Sequence, residues 1–183
     1  MKSKILALAA AMACTGAFAQ SKSNDDSTYM SLGYNSGQYT IDGLANLSNA
    51  NHLLITLGKN ISPLYAVEGV YATGMSDASS TALGTTVNVK LTSSYGLYIK
   101  PKTQVTPNIE VFGRVGFFNA RSDFSVPAFP SNNVSNNATS PSWGLGTSMK
   151  ITDKVFGTLD WMQMFKKDGA DIKGFGLSVG YKF

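Results

Sequence analysis

Large apolar residues alternate with small or polar ones at period two from Tyr29 to the last residue, in segments of about ten residues separated by turn chemistry. A period of two marks strands, because successive side chains leave opposite faces of the backbone. The final segment is the clearest: Phe175, Leu177, Val179, Tyr181 and Phe183 point one way, and Gly174, Gly176, Ser178, Gly180 and Lys182 the other. A soluble strand also alternates, but its second face is wet. Here that face is mostly glycine and serine, which suits a narrow interior.

The same split recurs upstream. Val87, Val89, Leu91, Tyr95, Leu97 and Ile99 oppose Asn88, Lys90, Thr92, Ser94, Gly96 and Lys100, which reads as one long strand. Tyr65, Val67, Tyr71 and Thr73 oppose Ala66, Glu68 and Ala72, with Val70 as an exception. Ile109, Val111, Val115 and Phe117 oppose Glu110, Phe112, Arg114 and Gly116, and Trp143, Leu145, Thr147, Met149 and Ile151 oppose Ser142, Gly144, Gly146, Ser148 and Lys150. Val155, Leu159 and Trp161 oppose Thr158 and Asp160, with Phe156 on the polar side. The first two segments alternate less cleanly, with Met30, Leu32 and Tyr34 facing out in one and Leu53, Ile55 and Leu57 in the other. These make eight strands, joined by short to moderate connections at residues 61–63, 101–108 and 152–154 and by long polar ones at 40–51, 76–86 and 121–141. Short turns on one rim and long loops on the other is the asymmetry of a transmembrane barrel. The last connection, residues 166–171, is short and departs from it.

The first 19 residues read as a secretory signal peptide. Lys2 and Lys4 supply its charge, residues 5–13 its apolar stretch, and Ala17-Phe18-Ala19 a small-x-small cleavage site. About nine apolar residues are too few for a membrane helix, which takes roughly 20. Residues 20–183 then form one barrel domain. The single cysteine, Cys14, lies in the leader, so disulfides and thiol chemistry are excluded from the mature chain. Without Lys2 and Lys4 the formal charge of +4 falls to +2, too little for a nucleic-acid partner. No later stretch has the length of an apolar helix, so membrane residence requires a closed barrel.

Alternation alone does not say which face is outside. The apolar face carries the bulky residues, and Trp143, Trp161, Tyr181 and Phe183 are placed as interfacial, lipid-facing aromatics. The opposite face, with Glu68, Arg114 and Asp160 among glycines, holds too little apolar area to stabilise a water-soluble core. The expected fold is therefore all-β, an eight-stranded antiparallel up-and-down transmembrane β-barrel.

The leader, the eight alternating segments, Leu32-Gly33-Tyr34 and the terminal Gly180-Tyr181-Lys182-Phe183 resemble the small outer-membrane barrels of the OmpA/OmpX type, the porin-like barrel family. The resemblance covers the mature chain, and only the C-terminal aromatic residue is specific. It implies an integral place in the bacterial outer membrane among lipid and lipopolysaccharide, and recognition of the last strand by the barrel-assembly machinery. No periplasmic anchoring domain is implied.

An interior this narrow is filled by side chains. Glu68, Arg114 and Asp160 are placed four or five residues from the short-turn rim, where an unpaired buried ion would cost several kcal/mol. They are expected to pair as a mid-barrel network that plugs the lumen; separate solvation of each charge is the plainer alternative. Lys100, Glu110, Lys150 and Lys182 are expected at the periplasmic mouth as solvated rim charges. His52 is placed at a loop end near Ser76, Asp77, Ser79 and Ser80, and is expected to be solvated rather than the base of a lipid A-modifying enzyme. No metal spacing, phosphate loop or nucleophile elbow occurs, and no cofactor is expected. The loop from Phe124 to Pro141, rich in Asn, Ser and Pro, suits contact with host surfaces or phage. Its sequons at Asn133 and Asn137 carry no function in a bacterial setting. The reading is a structural or adhesive barrel, with a small gated pore as the competing class and a lipid A enzyme well behind.

Overall fold

In the computed structural model of the chain, residues 27–42, 47–82, 85–125 and 134–183 are described. The expected signal peptide lies outside the described residues. The strands are β1 (Thr28–Ile41), β2 (Ala50–Ser62), β3 (Tyr65–Gly74), β4 (Ala78–Ala82), β5 (Thr85–Leu91), β6 (Ser94–Thr106), β7 (Ile109–Ser125), β8 (Val134–Lys150), β9 (Val155–Lys167) and β10 (Ala170–Lys182). Eight of them form a closed antiparallel barrel in the order β7-β6-β3-β2-β1-β10-β9-β8, sealed by pairing of β8 with β7. First and last strands meet in register from Tyr29↔Lys182 to Ile41↔Ala170. The amide of Phe183 also donates to the carbonyl of Thr28 at 2.9 Å, so the final residue belongs to the closure. Closure matters physically because an open edge would leave unpaired backbone groups in hydrocarbon.

β4 and β5 are additional to the barrel. They form a hairpin that pairs with the outer end of β7, from Leu91↔Ser122 to Asn88↔Ser125. This corrects the reading of residues 87–100 as a single strand: Val89 and Leu91 are buried inside, whereas Tyr95, Leu97 and Ile99 face outward, and the change of face falls at Thr92-Ser93. It also corrects the loops. Residues 76–86 hold a strand, β7 and β8 extend well into 121–141, and 101–108 shrinks to a turn at Pro107-Asn108 because β6 runs on to Thr106. At the short connection after β9, Asp168 and Gly169 both have positive φ, 50° and 78°, the two-residue geometry that matches the twist of a hairpin.

The outer wall is apolar throughout the barrel. Phe175, Leu177, Val179, Leu97, Ile99, Val115 and Phe117 each expose more than half their surface. A continuous apolar belt of this kind is foreign to a water-soluble monomer and suits lipid. Val70 and Phe156, the exceptions to the pattern, point inward and are buried. Inside, the two ends differ. Toward the long-loop rim the lumen is packed by Tyr39, Val89, Leu91, Phe118, Met164 and Ile172 as an apolar cluster. Toward the short-turn rim it is lined by charged and aromatic side chains.

Candidate functional site

Glu68, Arg114 and Asp160 come together although no two of their strands are neighbours. Arg114 on β7 stands opposite Gly144 on β8, and Asp160 on β9 stands opposite Gly146. β8 therefore presents no side chain between them, and the Arg114 Nη1 donates to Asp160 Oδ2. In the other direction the side chain crosses β6, where Tyr98 leans over Gly96; a Cβ there would lie 2.8 Å from the Tyr98 hydroxyl. Arg114 Nε donates to Glu68 Oε2 at 2.5 Å. The other Glu68 oxygen accepts the Tyr29 hydroxyl at 2.6 Å and lies 3.5 Å from Lys100 Nζ. Glu68 is fully buried and is thus held by two cations and a phenol, which a buried carboxylate requires.

The cluster continues toward the short-turn rim. Lys100 Nζ is 3.3 Å from one oxygen of Glu110, and Lys102 Nζ is 3.4 Å from the other. Lys102 also donates to Asn60 Oδ1 at 2.7 Å. The Phe112 ring lies under both cations, 4.2 Å from Lys100 Nζ and 4.9 Å from the Arg114 guanidinium carbon, a cation–π arrangement. Lys100 and Glu110, expected as solvated rim charges, are instead paired, and Lys100 is buried. Lys150 does lie at the rim, exposed and 2.6 Å from Asp153. Lys182 shares with Lys100, Glu110 and Lys150 the lining of a cavity of about 60 Å³ at this mouth.

Three members of the cluster escape the sequence pattern. Lys102 lies in the segment read as a turn from Pro101 and Pro107, Tyr98 breaks the expectation that inward residues are small, and Tyr29 stands at the edge of the first segment. For the two tyrosines the signal is the glycine face itself. Tyr29 packs over Gly58, Tyr98 over Gly96, Phe112 over Gly146 and Phe156 over Gly180. Glycines of the lumen are where neighbouring rings lie, on the adjacent strand for Tyr29, Phe112 and Phe156 and two residues along β6 for Tyr98.

The aromatics expected to face lipid form two pairs. Trp143 and Trp161 have ring centroids 5.0 Å apart, and Trp143 stands opposite Gln163, which is itself opposite Lys173. Tyr181 and Phe183, 5.4 Å apart, stand at the opposite end of the wall. Placement at both ends of the belt suits rings that prefer the membrane–water boundary.

His52 is not solvated. It is fully buried, 2.7 Å from the Tyr39 hydroxyl through Nε2 and 3.4 Å from Asn35 Oδ1 through Nδ1. Room for the imidazole comes from Gly37, where a Cβ would sit 3.1 Å from Nδ1. Ser76 Oγ, one of the serines expected near it, accepts the backbone amide of Asn51.

Comparison with known proteins places this geometry. The attachment invasion locus protein Ail of Yersinia pestis superposes with a TM-score of 0.64 at 16% identity, over 87% of this chain and 99% of that one. Neisserial surface protein A gives 0.62 at 12% identity over 85% and 97%. The N-terminal barrel of OprF from Pseudomonas aeruginosa gives 0.60 at 12% over 87% and 98%. At these identities the likeness shows the fold. No curated protein matches the chain in sequence. The model of the outer membrane protein beta-barrel domain matches residues 5–183, so the chain belongs to that family and is an integral protein of the bacterial outer membrane.

Proposed function

We propose that this protein is a structural and surface-adhesive barrel with a closed lumen, and that it catalyses no reaction. The observation that carries the adhesive reading is the ridge built above the wall on one side. There β4, β5, β7 and β8 continue as a sheet, with β7 and β8 paired as far as Phe124↔Val134. β9 joins β8 only from Trp143↔Gln163 downward. Among the described residues, no backbone pairs with the other edge of β8 above Trp143. Ser135, Asn136, Asn137 and Thr139 stand exposed there. A rigid sheet with an open edge binds extended chains and presents side chains without the ordering cost of a mobile loop. Support in kind comes from Ail, named for attachment and invasion and solved in complex with the heparin analogue sucrose octasulfate.

The test is attachment. Displayed on a non-adherent bacterium, the wild-type protein is expected to confer binding to host cells or extracellular matrix. Asn137→Glu/Thr139→Glu, which places charges along the edge, lowers that binding several-fold while the barrel stays folded. Attachment no better than that of the empty strain would overturn the reading. The partners in the membrane are outer-leaflet lipopolysaccharide and phospholipid against the apolar wall, and the assembly machinery at β10.

A gated pore is the second reading, favoured by the Arg114 cluster, whose single guanidinium links two walls of the lumen. Wild-type protein in planar bilayers is expected to give no conductance steps, and regular steps would favour the pore. A lipid A-modifying role needs an accessible base beside a nucleophile, whereas His52 is buried against Tyr39 and Asn35. The lipid A mass spectrum of expressing cells is expected to be unchanged.

A further inference from the structure

We infer that a water molecule is bound in the lumen beside Gly176 and joins two hydrogen-bonded arrays into one, so that the closing network reaches from Arg114 to His52. The first array is Tyr39, His52 and Asn35, buried in the outer half of the barrel. With Asn35 Oδ1 as acceptor, His52 carries its proton on Nδ1 and accepts the Tyr39 hydroxyl at Nε2. The second array is the Arg114 cluster, which ends on Asp160.

Between them stands Gly176. It pairs with Asn35 on β1 and with Asp160 on β9, so the three residues sit side by side at one height on the inner face. Asn35 Nδ2 is buried and has no hydrogen-bond partner among the described residues. A Cβ built on Gly176 would lie 3.6 Å from that nitrogen and would collide with Asp160 Oδ1. The buried amide donor and the carboxylate oxygen thus face each other over Gly176, which places no side chain between them. Asp160 and Gly176, though not Asn35, line a cavity of about 30 Å³ with Thr56, Arg114 and Ser178. That exceeds the roughly 10–15 Å³ one water needs.

The chemistry of the two flanking atoms selects the occupant. It must accept from an N–H and donate to a carboxylate. A metal cation has no lone pair to accept with, an anion is repelled by Asp160, and an apolar group does neither. Water does both. Turning the Asn35 amide over would set its oxygen against the carboxylate, which disfavours that orientation. Asn35 and His52 are then positioning residues for Asp160, holding its free oxygen while Arg114 holds the other. The inference concerns how the network is built and does not depend on adhesion.

The experiment is side-chain amide NMR of the intact barrel in lipid nanodiscs, with asparagine labelled. The Asn35 NH2 group is expected to show a cross-peak to a long-lived water. Gly176→Ala, which fills the site, abolishes that cross-peak. A double-mutant cycle in urea gives a second measure. The unfolding constants of Asn35→Leu and Asp160→Asn are expected to combine to a value at least threefold away from their product. An Asn35 amide without a water contact in the unmodified protein would overturn the inference, and so would a multiplicative cycle.

Discussion

Arg114 is the residue on which the lumen cluster depends, because among the described residues it alone bonds to both Glu68 and Asp160. Removing it takes from the fully buried Glu68 one of its two cations and from Asp160 its ion-pair partner, and breaking a buried pair from one side costs about 3–5 kcal/mol. Arg114→Ala is therefore expected to lower stability by roughly that amount in urea unfolding from lipid. Glu68→Gln keeps an acceptor for Tyr29 and leaves Arg114 its bond to Asp160, so a smaller loss of about 1–3 kcal/mol is expected. The three charges were readable in the sequence because each sits on an inward position of a regular alternation. His52 was not. Its burial depends on Gly37 on the neighbouring strand, and a cross-strand partner is set by register, which a single segment does not reveal.

At the scale of the strand, the outward face predicts its own test. Leu177 lies mid-wall on β10 and exposes 64% of its surface, so Leu177→Arg is expected to cost about 2–4 kcal/mol. Thr139→Arg, above the belt, is expected to cost roughly 0–1 kcal/mol. Equal costs at the two positions would mean that the apolar face does not meet lipid. The same strand predicts an assembly defect. Phe183 bonds to Thr28 and packs on Tyr181, so its deletion removes both a closing hydrogen bond and a boundary aromatic. Fewer folded, heat-modifiable barrels are expected in the membrane, read by gel mobility without boiling. Eight crossing strands were legible because lipid on one side enforces a strict period of two. The β4–β5 hairpin was not, since Val89, Leu91, Tyr95 and Leu97 share one parity. The flip at Thr92-Ser93 carries neither glycine nor proline to mark it.

In the molecule as a whole the lumen carries two layers of side chains, ions toward the short turns and an apolar cluster toward the long loops. The two layers respond differently to substitution. An ion cluster that loses its centre can be flooded by water, because its remaining charges solvate readily. An apolar layer of Leu91, Phe118, Met164 and Ile172 stays dry, since a cavity without polar partners does not hold water. Arg114→Ala alone is therefore expected to leave planar-bilayer conductance near the baseline. Phe118 is fully buried on β7, two turns of the alternation beyond Arg114, and Phe118→Ala alone leaves the ionic layer in place. Only Arg114→Ala/Phe118→Ala opens both layers, and stepwise conductance is expected from that variant. If Arg114→Ala conducts by itself, the apolar layer is no barrier and the gated-pore reading gains. If the double variant stays silent while folded, the ridge at the outer end, with β5 paired to β7 and β4 to β5, also covers the lumen.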